Sequence, residues 1–161
     1  MRSPELHIAQ LLGAVVRTME TELYGRLDAA GFDDVRPSHS AVFRHIDPDG
    51  SRLTDLAERA QMTKQSLGEL VSDLEDRGYL ERRRHPSDGR VKIIRLTARG
   101  KRSRAAAFRA FREIEAGWGE RVGKRRVADL RATLADIAAL EARSSARRHA
   151  ARGARLDDKV F

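Results

Sequence analysis

Four arginines stand within nine residues, Arg82, Arg83, Arg84 and Arg90, on either side of a Pro86-Ser87-Asp88-Gly89 run. Asp-Gly behind Pro-Ser is turn chemistry. Guanidinium groups around such a turn suit phosphate, because each offers a rigid fork of N–H donors. The single acid is the informative residue. Asp88, two residues before Arg90, can hold that guanidinium through a paired hydrogen bond and aim it out of the turn; the alternative is an ordinary Asp-Gly turn with a surface arginine. Arg82 to Arg84, His85 and Lys92 then supply phosphate contacts or a general positive field.

The distribution of charge agrees with an anionic partner. The net charge is +8, yet residues 77–104 alone hold 11 basic and 2 acidic side chains, while residues 1–76 are net acidic. A cationic block of this kind favours a polyanion. Other chemistry finds little support. With no cysteine there is no disulfide, thiolate nucleophile or thiol redox sensor. The five histidines, at 7, 39, 45, 85 and 149, form no close metal-ligand pair. No Gly-rich phosphate loop, Ser-centred elbow or metal triad occurs, so an enzyme is not expected, and neither is a cofactor. The absence of a run of 18 apolar residues or a secretory leader points to a soluble, cytoplasmic chain.

The elements that must position this chemistry are helices, given 5% aromatic residues and a core left to Leu, Val, Ile and Ala. Apolar residues from Ile8 to Leu27 recur at three- and four-residue spacing, which predicts one long amphipathic helix stopped near Gly31. Pro37-Ser38 opens a short second helix with Ser38 as cap. After Asp47-Pro48-Asp49-Gly50, residues Leu53 to Ala60 predict a third helix capped by Thr54. Thr63 caps a fourth, with Leu67, Leu70, Val71 and Leu74 on one face. Two short helices joined by Gln61 and Met62 must cross steeply to share a core, which is helix-turn-helix geometry. Residues 79–84 and 91–96 flank the arginine turn and read as a β-hairpin. Thr97 caps a further helix carrying Phe108, Phe111, Ile114, Trp118 and Val122, and a last helix carries Val127, Leu130, Leu134, Ile137 and Leu140. The open apolar faces of the first and the last two helices suggest a helical dimer interface. The expected organisation is one domain over 1–142, with a reader over about 36–100, a helical dimerisation region at 6–31 and 101–142, and a basic tail at 143–161, irregular or a frayed helix extension. The fold class is thus mainly α with a small antiparallel hairpin wing.

Several stretches carry a family likeness: Leu53-Thr54-Asp55-Leu56-Ala57, Leu70-Val71 with Leu74-Glu75-Asp76-Arg77-Gly78-Tyr79-Leu80, and Asp88-Gly89-Arg90 followed by Leu96-Thr97 and Gly100. On these residues the sequence resembles the MarR family of bacterial winged-helix transcription regulators, over roughly residues 6 to 142. The sequence departs at Gln61, where helix-turn-helix turns often have Gly. The resemblance implies a homodimer whose recognition helices enter successive major grooves of a pseudo-palindromic operator in double-stranded DNA while the wings reach the flanking minor grooves. It also implies, often in this family, a small aromatic or anionic effector between reader and dimerisation helices. His7, Arg17, Tyr24, His39 and Trp118 are candidates to line such a site, though each fits core or surface as well, so the effector-binding residues stay unassigned.

In the fourth helix, Gln65 suits paired contact with adenine and Ser66 is adaptable. Lys64 and the helix start at Thr63 suit phosphate. Glu69 suits cytosine, or else is a solvated or internally paired carboxylate. Gly68 lets the backbone approach DNA or merely leaves space. Arg90 suits the minor groove with Asp88 behind it; Arg84, His85 and Lys92 suit phosphate. Ser38 and His39 are further backbone candidates, His39 equally an exposed or effector-pocket residue. The rival to a sequence-specific, ligand-responsive repressor is a sequence-independent architectural DNA-binding protein. Target genes, the sign of regulation and the effector are not legible.

Overall fold

The computed structural model describes residues 6–84 and 91–157, with side chains through residue 141. The first helix, α1 (Ile8–Ala29), ends where Gly31 takes φ 83°, a left-handed value that glycine adopts without strain. Pro37–His39 form a 3₁₀ turn leading into α2 (Ser40–His45). The expected Ser38 cap is not the one used: the buried ring of His39 accepts the Arg36 N–H through Nδ1 at 3.1 Å. A proline-started turn leaves its first donors to be met locally, and His39 meets one from inside the core.

Gly50 turns the chain at φ 97° into β1 (Ser51–Arg52), a two-residue strand that sequence periodicity is too short to reveal. The third helix, α3 (Leu53–Arg59), is preceded by Arg52 and has no side-chain cap. The expected Thr54 cap is replaced by a hydroxyl bond to Asp55 at 3.1 Å inside the helix. At the end of α3, Arg59 reaches back with two 2.9 Å bonds to the Asp47 carboxylate and a third, 3.0 Å, to Ser51 Oγ. This fork ties α3 to β1.

Between α3 and α4 (Lys64–Asp76), Gln61 takes φ 53°, among the described residues the one non-glycine in the left-handed region. The turn requires that conformation whatever side chain carries it. α4 starts as the sequence predicts, with Thr63 Oγ1 accepting the Ser66 N–H at 3.1 Å. Its inward face, Leu67, Val71 and Leu74, is fully buried beside Val42 and Leu56. Each such side chain contributes roughly 1.5–3 kcal/mol relative to exposure.

The strands β2 (Leu80–Arg84) and β3 (Lys92–Leu96) pair antiparallel from Leu80 opposite Leu96 to Arg84 opposite Lys92, the hairpin the sequence predicts. β1 lies on the other edge of β3, giving the order β1-β3-β2. α5 (Ala98–Val122) begins directly after Thr97, whose hydroxyl accepts the Gly100 N–H at 3.1 Å and donates to the Gly78 carbonyl at 2.6 Å. A Cβ on Gly100 would fall on the Tyr79 carbonyl oxygen, far inside contact distance. The Leu-Thr-x-x-Gly spacing is therefore a cap plus a close approach. α6 (Lys124–Asp157) follows Gly123 at φ 105° and continues through the arginine-rich segment, where the sequence left irregular chain or a frayed helix open.

The residues group into two compact units, one ending at Ile114 and one beginning at Glu115. In the first, α1 exposes Ile8, Leu11, Leu12, Val15 and Val16; in the second, α6 exposes Leu130, Leu134, Ile137 and Leu140.

Two outcomes follow from this packing. Gly100→Ala loses about 2–3 kcal/mol in urea unfolding, because α5 must back away from Tyr79. The Arg59 fork holds Asp47 well below the ordinary 3.8, at about 2, helped by Ser51. A carboxylate depressed in the fold stabilises it above the unfolded value and stops doing so as pH falls through the folded one. An acid titration between about pH 4 and pH 2 then shows a loss of stability that Asp47→Asn lacks.

Candidate nucleic-acid interface

Thr63, Lys64, Gln65, Ser66 and Glu69 are all exposed at the start of α4, opposite its buried face. The helix brings these sequence-predicted residues together on one polar surface, with N–H groups and the positive end of the helix dipole beside them. Gln65 Nε2 donates to Glu69 Oε1 at 3.4 Å, so the internally paired form of Glu69 is the one present. Thr63 also donates to Ser66 Oγ at 2.9 Å, which fixes Ser66 in the cap. At Gly68 a Cβ would make ordinary 3.7 Å contact with Leu53, so the position leaves space and no steric demand requires glycine.

Ser38 is exposed on the 3₁₀ turn, as a backbone-reaching residue would be. His39 is neither exposed nor a pocket residue, being 1% accessible. Its Nδ1 accepts from Arg36, and its Nε2 then donates to Asp73 Oδ2 at 2.7 Å, which makes the ring neutral and the contact a hydrogen bond. Burial pulls the His39 pKa down against the pull of Asp73 in the other direction. Asp73 is held in turn by Arg77, whose guanidinium depresses it. His39 is thus a strut from the 3₁₀ turn to the back of α4. Only its neighbour Pro37 hinted at a local cap.

In the wing, Arg84 and Lys92 stand directly opposite each other in the ladder. Like charges at such a pair are destabilising without an anion between them. Arg83 is bound by Glu81 through bonds of 2.8 and 3.0 Å, and Arg82 by Glu75 at 2.6 Å, pairings that a charge count cannot anticipate. His85, Asp88 and Arg90 lie outside the described residues.

Sequence reasoning left a second feature unassigned. A cavity of about 160 Å³ opens between α1, α2 and α5, lined by Leu23, Tyr24, Phe43, Phe108 and Phe111 with Arg44 and Arg104. Of the residues suggested for an effector, only Tyr24 lines it. Burial raises the Tyr24 pKa, with Glu20 adding to the effect, so the phenol stays a donor.

The model of the MarR family matches residues 33–91, the segment holding the 3₁₀ turn, α2 to α4 and β2. Over that segment the chain is similar to the MarR family. Among curated proteins it is similar to the transcriptional regulator HosA of Escherichia coli O111:H-, at 33% identity over 76 residues, which cover 47% of this chain and 56% of HosA. The chain thus spans about half the length of the curated relatives it matches. Solved structures share the fold at lower identity. A mutant of S. aureus MepR bound to an oligodeoxyribonucleotide gives a TM-score of 0.58 at 20% identity, over 83% of this chain and 96% of that one. CouR from Rhodococcus jostii RHA1 bound to p-coumaroyl-CoA gives 0.62 at 24%, over 83% and 93%. The MarR winged helix, with its three-stranded antiparallel sheet, is therefore the fold seen here.

Replacing Gln61 by Gly relieves the left-handed strain and adds up to about 1 kcal/mol of stability, net of the greater freedom glycine gains when unfolded. Thermal unfolding of the two proteins measures it.

Proposed function

We propose that this chain is a sequence-specific DNA-binding transcriptional regulator, acting as a homodimer on a pseudo-palindromic operator and released from it by a small aromatic anion. The observation that carries the reading is the pairing of Arg84 with Lys92. Two cations placed face to face on an antiparallel ladder fit a polyanion lying between them, and the polar start of α4 is the second surface such a polyanion would meet. Gln65 reads a base edge once it leaves Glu69, Lys64 and the capped helix end hold phosphate, and Ser38 adds a backbone contact. Asp88 and Arg90 remain the residues assigned to the minor groove.

The dimer is supported by the apolar stripe on α1, which exposes more large apolar side chains than a lone helix in water retains. A two-fold pair sets two α4 helices about one DNA turn apart. The effector is supported by the cavity: aromatic and aliphatic walls with Arg44 and Arg104 fit a flat ligand bearing a carboxylate. The ligand carried by CouR, p-coumaroyl-CoA, shares the aromatic acyl group, there as a thioester. A sequence-independent architectural role is the second reading, favoured by the charge of residues 77–104 and 143–161, which is blind to sequence.

Titration against palindromic fragments of the upstream region and against random duplex, each at two salt concentrations, separates the two. The specific reading predicts tighter palindrome binding; Gln65→Ala reduces the preference by about 1–3 kcal/mol, and Lys64→Ala lowers the salt slope by about one on every duplex. Equal affinity for all duplexes selects the architectural reading. For the cavity, calorimetry with a substituted benzoate gives binding that Arg44→Ala weakens about tenfold, the loss of one charge-assisted bond.

A further inference from the structure

The path from α4 to the wing is short: Arg77, Gly78 at φ 75° and Tyr79 are all that separate Asp76 from Leu80. A glycine in that conformation fixes where the strand starts, and β1 holds β3 at Ile93 and Ile94, so the ladder beyond them toward Arg84 and Lys92 is carried by the pairing of β2 with β3. Among the described residues, the side chain of Arg82 bridges from β2 to α4. Arg82 lies on the same sheet face as Leu80 and opposite the buried Ile94. Its guanidinium meets α4, with Nη1 at 2.6 Å from Glu75 Oε2 and Nη2 donating to Ser72 Oγ at 3.3 Å. Ser72 and Glu75 are one turn apart on one side of α4, so the fork grips a full turn of that helix. Beyond it on the same strand face come Arg84 and Lys92.

We propose that Arg82 is not a DNA ligand but the clamp that sets the angle between the wing and α4, and that Glu75 is its positioning residue. The proposal rests on the DNA-binding reading above. Its physical content is a carboxylate kept beside a basic segment at a cost to long-range attraction: Glu75 repels a polyanion, and the clamp offsets this by holding Arg84 and Lys92 where they meet phosphate together with the start of α4. Without the clamp the wing must be ordered at the moment of binding, which lowers affinity.

Two roles for Arg82 predict opposite signs. If Arg82 were a phosphate ligand, Glu75 would compete for it, and Glu75→Gln would tighten DNA binding. As a clamp, Glu75→Gln weakens binding about tenfold although it removes a negative charge, and leaves the salt slope unchanged, since no phosphate contact is lost. Arg82→Gln also weakens binding without lowering the slope, and the double variant is no weaker than Arg82→Gln alone. The experiment is a fluorescence titration of the full chain and these variants on the fragment bound by wild type, with circular dichroism and urea unfolding as the check on folding. Should Glu75→Gln prove poorly folded, Ser72→Ala removes one contact at an exposed position and gives the same sign. Tighter or unchanged binding by Glu75→Gln, or a slope reduced by about one in Arg82→Gln, overturns the clamp. Failure of wild type to bind any duplex overturns instead the reading on which it stands.

Discussion

The buried phenol of Tyr79 is the constraint on which the reader depends. It is fully inaccessible, and its ring lies between Phe32 at 6.3 Å and Phe43 at 6.0 Å, the second edge-on. Its hydroxyl donates to Asp34, which also takes two 3.1 Å contacts from Arg99, while the Arg99 guanidinium sits 4.5 Å over the ring. Burial, reinforced by Asp34, pushes the phenol up to about 12, so it is a donor at any ordinary pH. The Tyr79 main chain is engaged as fully. Its N–H closes α4 on Leu74 at 2.8 Å, and its carbonyl accepts from Thr97 at 3.0 Å beside the close approach of Gly100. The loop after α1, the end of α4, the start of the wing and the start of α5 are joined at one residue. A phenylalanine would fill the ring space and leave the Asp34 carboxylate short of a donor.

That junction explains how a helix can be rigid from behind and chemically free in front. The back of α4 is fixed by Leu67, Val71 and Leu74 in the core, by His39 on Asp73 and by Tyr79 at its end. The front offers short polar side chains already satisfied by one another, Thr63 with Ser66 and Gln65 with Glu69. These are exposed bonds worth little each, so exchanging them for bonds to a ligand costs little. Rigidity resides in contacts that no ligand need disturb.

How much of this the sequence disclosed depends on how local each cause is. The α4 cap, the hairpin and the helix start at Thr97 were legible because capping and alternation act within three or four residues. The Thr54 and Ser38 caps were misread for the same reason: a Ser or Thr near a helix start is a local signal, while Arg52 and the His39 ring hold those places through tertiary structure. His39 as a strut, Tyr79 as a junction, Arg82 on Glu75 and the cavity behind Phe43 all join residues distant in the chain, and no spacing encodes them. β1 is two residues long, below what any period can mark. Gln61 shows the reverse case, in which the backbone conformation usual for glycine is present and the glycine is not. In the wing, strand-forming residues around a turn located the hairpin but not the partners of Arg82 and Arg83.

The small sheet carries one more consequence. Its order leaves β2 as an outer edge along Leu80 to Arg84. An unpaired strand edge is a template on which another chain can build a ladder, the first step of ordered aggregation. In parallel register two identical edges would stack Arg82, Arg83 and Arg84 on their copies, which makes that docking electrostatically unfavourable. The basic edge therefore disfavours in-register stacking of neighbouring copies, and charge-neutralising changes there put solubility at risk.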